Sequence, residues 1–165
     1  RIAANRLRGP PGKAVYTQLC NEKGGIEADV TLIHVHDDHF YMITGAGFGV
    51  HDSGWVRKHL PPSVDIRDVT TQFATINICG PKSRDVLQSV TVEDLSNQAY
   101  PFLTAKWINV GHTTALAVRI GYVGELGYEI YVPHEFAGRC IGHYGTQGNR
   151  IKFPMRGTVQ LIHAV

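Results

Sequence analysis

Three short segments of the chain carry side chains whose types and spacing could support chemistry. Residues 24–29 place a glycine pair ahead of an alternating apolar run, with the carboxylate of Asp29 just inside that run. Residues 119–129 contain three glycines, which permit a tight backbone path, and they place Tyr122 and Glu129 to line a pocket wall. Residues 34–39 have the sequence His-Val-His-Asp-Asp-His, and His and Asp are frequent zinc ligands. A ligand pocket and a metal centre are therefore the chemistries to weigh.

The first two segments also have purely structural interpretations. A Gly-Gly pair is a common hairpin turn, and an acid on a strand often just faces water. A glycine-rich hairpin with one buried tyrosine is equally ordinary. The residue types alone leave these alternatives open.

The histidine-rich segment resembles the His-x-His-x-Asp-His motif of metallo-β-lactamase-like hydrolases through His34, His36, Asp38 and His39. In that family the side chains bind a zinc pair whose water attacks the substrate. Here the flanking residues continue a strand pattern on both sides, and Phe40 rather than glycine follows the last histidine. We therefore predict a solvated hairpin turn and no metal site. A zinc hydrolase is the less favoured alternative.

The other two segments together resemble the tetrahydrofolate-binding domain of the glycine-cleavage T-protein (aminomethyltransferase) family. Residues 21–29 are similar to its Asn-x-x-Gly-Gly-Ile-x-x-Asp pattern, and residues 121–130 to its Gly-Tyr-Thr-Gly-Glu-x-Gly-x-Glu-Ile pattern. Weaker matches at residues 80–87 and 94–96 extend the likeness. The resemblance covers most of residues 1–139 and implies a T-protein-like α+β fold.

One departure from the T-protein pattern points to a particular branch of the family. T-proteins usually have two adjacent acids in the first segment, whereas here Ala28 leaves Asp29 alone. The resulting Gly-Gly-Ile-Glu-x-Asp form resembles dimethylglycine and sarcosine dehydrogenases, in which this domain is the C-terminal part of a flavoprotein. The resemblance implies an enzyme domain that captures an iminium or formaldehyde unit as 5,10-methylenetetrahydrofolate.

The same likeness implies cofactors and partners. Tetrahydrofolate would accept the one-carbon unit, and the partner would be a small methylamine or its iminium. FAD would be held by a region preceding this chain, because no Gly-x-Gly-x-x-Gly follows the first predicted strand. A stand-alone aminomethyltransferase and a non-catalytic folate-binding protein remain alternatives, although the Lys-Gly-Cys signature of the latter is absent.

The resemblance also implies roles for four side chains. Glu129 would accept hydrogen bonds from the amide N–H and the exocyclic amine of the pterin in a bidentate pair, and Tyr122 would stack on the ring. Asp29 would be the catalytic residue, holding or taking a proton near N5 and N10. Glu125 would be a weaker cofactor contact or would fix the loop.

The elements that position these residues follow from short alternating runs joined by turns. Because the strict strand-helix alternation of a parallel sheet is missing, we predict an α+β domain of antiparallel sheets with flanking helices. Strands are expected at residues 15–19, 29–36, 40–44, 64–66, 73–79, 106–110, 114–120 and 128–132, and helices near residues 50–60 and at residues 82–90.

Composition sets outer limits on function. The chain has 165 residues, 43% of them hydrophobic, and a formal charge of +2 with Lys and Arg scattered among the acids. We expect no nucleic-acid partner and no membrane span, since no apolar run approaches about 18–20 residues. Its widely spaced cysteines, Cys20, Cys79 and Cys140, fit a reducing compartment. We therefore predict the cytoplasm, or the mitochondrial matrix in a eukaryote.

The last part of the chain differs from the rest. Residues 140–165 contain no Asp or Glu and scatter glycines where the family continues with a helix. Reading the codons one base out of register can restore a stretch similar to the family. We expect a folate-binding domain at residues 1–139, truncated at both ends, and hypothesise that residues 140–165 are an out-of-frame or unstructured tail.

Overall fold

The structure, a computed structural model, describes residues 2–140 and the backbone of residues 159–164. This part of the chain is α+β with antiparallel sheets, which confirms the predicted fold class. It divides into two compact units, which are described separately below. The elements are β1 Ala14–Cys20, β2 Ile26–His36, β3 His39–Gly45, α1 Gly49–His59, β4 Ile66–Asp68, β5 Phe73–Cys79, α2 Ser83–Gln88, β6 Thr104–Val110, β7 Thr113–Arg119, β8 Gly127–Pro133 and β9 Val159–Ala164.

The first unit contains residues 2–70 and β9 around a sheet of order β1-β2-β3-β9-β4. Every neighbouring pair in this sheet is antiparallel. The β1–β2 turn is fixed by the Asn21 side-chain oxygen, which accepts from the N–H groups of Lys23 at 3.0 Å and Gly25 at 2.9 Å. Gly24 has φ +79°, a value that glycine adopts without a steric penalty. The Asn-x-x-Gly-Gly segment is thus a local turn device.

Helix α1 packs on one face of this sheet. Its Trp55 and Val56 lie against a core that includes Leu19, Val30 and Met42. Asp52 is buried on the same helix and accepts hydrogen bonds from Thr44 and from His51. These bonds stabilise the buried carboxylate and fix the start of α1 against β3. All of these side chains belong to the first unit.

The second unit, described over residues 71–140, has a sheet of order β5-β8-β7-β6. Alternate residues of its strands form the largest core, among them Ile78, Tyr128 and Ile130. Helix α2 covers this face with the buried side chains of Val86 and Leu87. The opposite residues of β5 and β8 point away from that core, since side chains alternate across a strand. The candidate site uses this second face.

Most predicted element bounds differ from the structure by one residue, and β2 begins three residues and β6 two residues earlier than predicted. Two further differences have a visible cause. Strand β4 begins at Ile66 rather than residue 64, because the N–H of Val64 closes a turn on the oxygen of Pro61. Helix α2 is shorter than residues 82–90. The N–H groups of Ser89 and Val90 bond to carbonyls three residues earlier, so the chain tightens and leaves the α-helix. Most of residues 140–165 lies outside the described residues, so the proposed tail remains a prediction.

Candidate functional site

Glu129 lies near the middle of β8, on the face of the sheet opposite the core. The hydroxyl of Tyr131, two residues further along the strand, donates to its Oε2 at 2.5 Å. Glu129 is half-buried, and burial raises the pKa of its carboxyl above the ordinary value, while the hydrogen bond from Tyr131 opposes that shift. The arrangement holds a partly desolvated carboxylate in one orientation, which suits a bidentate contact with a planar ligand.

The glycine-rich loop before β8 approaches other backbone very closely. A Cβ on Gly127 would lie 2.7 Å from the oxygen of Ile120, and one on Gly121 would lie 2.6 Å from the oxygen of Glu125. The carbonyl of Leu126 accepts from the N–H of Gly80 at 2.9 Å. This contact joins two of the segments that carried the resemblance.

Glu125 and Tyr122 occupy this loop in different ways. The Oε2 of Glu125 lies near Gly80, 3.6 Å from the place where a Cβ would be. Tyr122 is fully exposed, at 101% of its reference area, and contributes no wall to a pocket in this conformation. Glu125 is therefore close to the end of β5, whereas Tyr122 projects into solvent.

Two further polar side chains lie on the β5 side of Glu129. Asn77 is directly opposite Glu129 in the β5–β8 register, and Cys79 is opposite Gly127. The pKa of the exposed Cys79 thiol is raised, first by partial desolvation and then by the negative charges of Glu129 and Glu125. Both carboxylates are thus close enough to act on the same sulfur atom.

Asp29 is an exposed residue of β2 in the first unit. Tyr16 donates to its Oδ2 at 2.6 Å, and Gln18 donates to its Oδ1 at 3.2 Å. Both partners come from β1, so the hairpin orients both carboxylate oxygens. A carboxylate oriented in this way can accept and return a proton at a fixed position. Among the predicted site residues, Glu125 and Glu129 lie in the second unit, where both influence the pKa of Cys79, and Asp29 lies in the first.

The histidine-rich segment forms the turn between β2 and β3, as predicted. Asp37 has φ +41°, a left-handed conformation that Asp tolerates in tight turns. The ring nitrogens of His34 lie 2.9 Å from the oxygen of Gly9 and 2.6 Å from the oxygen of Asp37, and the ring stacks on Phe40. Among the described residues, no three His, Cys, Asp or Glu side chains are grouped so that they could hold a metal ion.

Comparison with known proteins identifies the family. The profile described as the GCVT N-terminal domain matches residues 1–157. The chain belongs to this family. The β1–β2 turn and the loop before β8, recognised first as sequence patterns, are therefore parts of a GCVT domain.

The relatives of this GCVT domain include dehydrogenases and aminomethyltransferases. It is 35% identical to human mitochondrial dimethylglycine dehydrogenase over 118 residues, which cover 70% of this chain and 14% of that protein. It is 31% identical to an aminomethyltransferase of Thermoanaerobacter sp. (strain X514) over 134 residues, which cover 81% of this chain and 36% of that protein. The GCVT domain thus spans one-seventh and about one-third of these relatives.

A solved structure supports the fold of the GCVT domain. The glycine cleavage system aminomethyltransferase T from Bartonella henselae matches with a TM-score of 0.63 at 21% identity. The match covers 81% of this chain and 35% of that chain. The fold is therefore aminomethyltransferase-like.

Several side chains of the GCVT domain site were not found from the sequence. Tyr131 could have been predicted from the sequence, because it follows Glu129 by two residues and so lies on the same strand face. Tyr16 and Asn77 required the pairing registers of β1 with β2 and of β5 with β8. The pattern within a single strand does not contain that information.

Proposed function

We propose that this GCVT domain is the tetrahydrofolate-binding, one-carbon acceptor part of an enzyme similar to dimethylglycine or sarcosine dehydrogenase. It would capture an iminium or formaldehyde unit as 5,10-methylenetetrahydrofolate. The observation that carries the proposal is the half-buried carboxylate of Glu129, oriented by Tyr131 within a segment similar to the family's folate-binding pattern. The similarity to dimethylglycine dehydrogenase supports the choice of branch.

The Glu129 carboxylate fits the edge of a pterin. That edge presents an amide N–H beside an exocyclic amine, and a carboxylate has about four acceptor sites, so the bond from Tyr131 leaves room for both donors. Bound donors would also favour the charged form, whose desolvation raises the pKa of this carboxyl in the free protein. Tyr122, exposed beside this loop, would stack on the ring, and Glu125 would remain a secondary contact.

Asp29 would serve the reacting end of tetrahydrofolate. Tetrahydrofolate would supply N5 and N10 as acceptors of the one-carbon unit, and Asp29 would accept a proton from N5 and return it to the departing amine. Tyr16 and Gln18 keep the carboxylate in place during both transfers. Asp29 therefore ends the cycle unprotonated.

The oxidation that generates the iminium is assigned to an FAD-binding region outside this chain. FAD would supply two-electron oxidation of an N-methyl amine, and the GCVT domain would supply the acceptor. The remaining partner is the methylamine or its iminium, with no nucleic acid and no membrane. Among the described residues, no helix has the length and apolar character to span a bilayer. We place the protein in the cytoplasm, or in the mitochondrial matrix in a eukaryote.

Binding and turnover measured separately test the two carboxylates. Calorimetric titration of the full chain with tetrahydrofolate should show binding that Glu129→Ala weakens by roughly 100-fold or more, because a charge-assisted bidentate contact is lost. Asp29→Asn should retain affinity but slow formation of methylenetetrahydrofolate from formaldehyde by about 10²-fold or more, as loss of a positioned acid-base group does. Glu135→Ala, an exposed glutamate of the second unit, is the control and should change neither quantity. Equal affinity of the wild type and Glu129→Ala contradicts the pocket assignment.

A stand-alone aminomethyltransferase is the second candidate, favoured by the similarity to the Thermoanaerobacter protein. The neighbouring coding sequence discriminates, since an FAD-binding region in the same reading frame is expected only for the dehydrogenase. A non-catalytic folate-binding protein would bind tetrahydrofolate without forming the methylene bridge. Zinc chemistry through His34, His36, Asp38 and His39 would require ring nitrogens that, for His34, face backbone oxygens.

A further inference from the structure

Asn77 and Glu129 are directly opposite each other on neighbouring antiparallel strands. Opposed residues of such a pair have Cβ atoms about 4.5–5.5 Å apart and lie on the same face of the sheet. Ile76 and Ile78, the neighbours of Asn77, lie in the core on the other face. The carboxamide of Asn77 therefore shares its surface with the carboxylate of Glu129.

The Oδ1 atom of Asn77 is buried and has no hydrogen-bond partner. Buried acceptors in folded proteins are almost always satisfied, so an orphaned one needs an explanation. The hydroxyl of Tyr131, the next donor on this face along β8, already points to Glu129. A ligand that brings an N–H donor would satisfy the free oxygen.

The two acceptors together fit a planar group with several N–H donors on one edge. In the proposed function, Glu129 accepts from the pterin amide N–H and from one hydrogen of its exocyclic amine. That amine carries a second hydrogen, which points away from the amide side and has no partner in the Glu129 contact. An acceptor about one strand spacing from the carboxylate suits this second hydrogen.

We propose that Asn77 is a specificity-determining residue that accepts a hydrogen bond through Oδ1 from the second hydrogen of the pterin 2-amino group. This inference rests on the proposed tetrahydrofolate binding. It means that two strands recognise the amine, with Glu129 on one and Asn77 on the other. A ring that lacks the amine would leave Asn77 without a donor and Glu129 with the amide N–H alone, so the pair selects for a 2-amino pterin.

The test compares tetrahydrofolate binding by the full chain with binding by Asn77→Leu, which has nearly the same shape but lacks the acceptor. Asn77→Leu should weaken affinity about tenfold, which corresponds to about 1.4 kcal/mol. Its thermal midpoint without ligand should not fall, because an unsatisfied buried oxygen has been removed. Thr75→Val is the matched control, since Thr75 lies on the same face of β5 opposite Tyr131, and its affinity should be unchanged.

A second ligand makes the contact specific. A tetrahydrofolate analogue with methyl in place of the 2-amino group should bind wild type far more weakly. The ratio between the two ligands should be about tenfold smaller in Asn77→Leu, because part of the discrimination has been removed. If Asn77→Leu does not fold, Asn77→Val, with a side chain well suited to a strand, replaces it in both titrations.

The outcomes separate this inference from the proposed function. If wild type does not bind tetrahydrofolate, both are wrong. If wild type binds and Glu129→Ala loses affinity, while the Asn77 variant binds both ligands as wild type does, only the role of Asn77 is overturned. A tenfold loss with tetrahydrofolate, combined with the reduced ligand ratio, supports it.

Discussion

At the scale of single residues, the side chains around Glu129 bring acceptors and negative charge together. Glu125 and Glu129 both act on the thiol of Cys79, and the orphaned oxygen of Asn77 lies opposite Glu129. A surface selected only for stability would place donors among these groups. The imbalance is typical of a site whose donors come from a ligand.

The reactivity of Cys79 provides a measure of this local charge. The thiolate is the nucleophile, so a thiol with a raised pKa reacts slowly near neutral pH. Glu129→Gln removes one of the charges that raise the Cys79 pKa, and we expect faster alkylation by iodoacetamide at pH 8. The rate is followed by mass spectrometry of the Cys79 peptide, which separates it from Cys20 and Cys140.

Two control variants define the expected pattern of alkylation rates. Glu125→Gln should also accelerate the reaction, but less than Glu129→Gln, because Glu125 has the smaller influence on the Cys79 pKa. The exposed Glu135 supplies the matched control, and Glu135→Gln should leave the rate unchanged. Identical rates in all of these variants would show that the two carboxylates do not influence Cys79.

At the scale of elements, the loop before β8 depends on a close backbone approach. Gly127 begins β8 directly opposite Cys79, and its missing side chain lets the oxygen of Ile120 come near. The strand that carries Glu129 and Tyr131 therefore starts from a fixed point. Precise placement of the carboxylate follows from glycine at this position.

Substitution of two glycines tests this requirement. Gly127→Ala places a Cβ against the backbone, which cannot move as a flexible side chain would, so we expect a loss of about 1–3 kcal/mol in the free energy of unfolding. Gly54 lies inside α1 with nothing within 4 Å of a Cβ, and Gly54→Ala should stabilise by about 0.5–1 kcal/mol. Urea unfolding measures both. An unchanged midpoint for Gly127→Ala would contradict the close approach.

The elements with the clearest alternation of apolar residues were predicted most accurately. Strand β5 Phe73–Cys79 was predicted at its observed bounds, because alternating apolar residues between turn residues identify a strand. The boundary of β4 was less accurate, because a turn closed by the oxygen of Pro61 delays its start. Helix α1 was located from sparse apolar spacing, and its docking through Asp52 was not predicted, because it depends on a partner from β3.

The candidate site was predictable only in part, because the pattern of a single strand does not show which residues of the neighbouring strand lie opposite it. Glu129 and Asp29 were named from sequence patterns that resemble a family. Tyr16, which donates to Asp29, and Asn77, which lies opposite Glu129, are placed by strand register, and a shift of one residue would move them to the other face. Tyr122 was expected on a pocket wall but is fully exposed, because the loop around it makes its close contacts through glycine backbone.

At the scale of the whole molecule, the described chain has two compact units, each with its own sheet. The sequence has no composition change near residue 70 that would indicate this division. Folding stability is a property of the whole chain, and any ligand that binds only the folded form adds to it. Glu129 affects both folding stability and ligand binding. Desolvation of its carboxylate opposes folding, whereas its proposed hydrogen bonds favour binding.

The sign of the pH effect follows from the raised pKa of Glu129. A carboxyl with a higher pKa in the folded state binds more protons there than in the unfolded state between the two pKa values, so stability falls as pH rises through that window. Glu129→Gln cannot ionise. We therefore expect Glu129→Gln without ligand to have a higher thermal midpoint than wild type at pH 7, and the difference to shrink toward pH 4.

Tetrahydrofolate should reverse the order of the thermal midpoints of wild type and Glu129→Gln. At about 100 times its dissociation constant, a ligand adds about 2.7 kcal/mol to the stability of the protein that binds it. Wild type at pH 7 should therefore gain a concentration-dependent rise in thermal midpoint, while Glu129→Gln, which presents an amide in place of a charged acceptor, should gain much less. Differential scanning calorimetry at several ligand concentrations measures both. If the thermal midpoints of the two proteins rise equally with ligand concentration, Glu129 does not contribute to tetrahydrofolate binding. Its burial is then a feature of the fold alone.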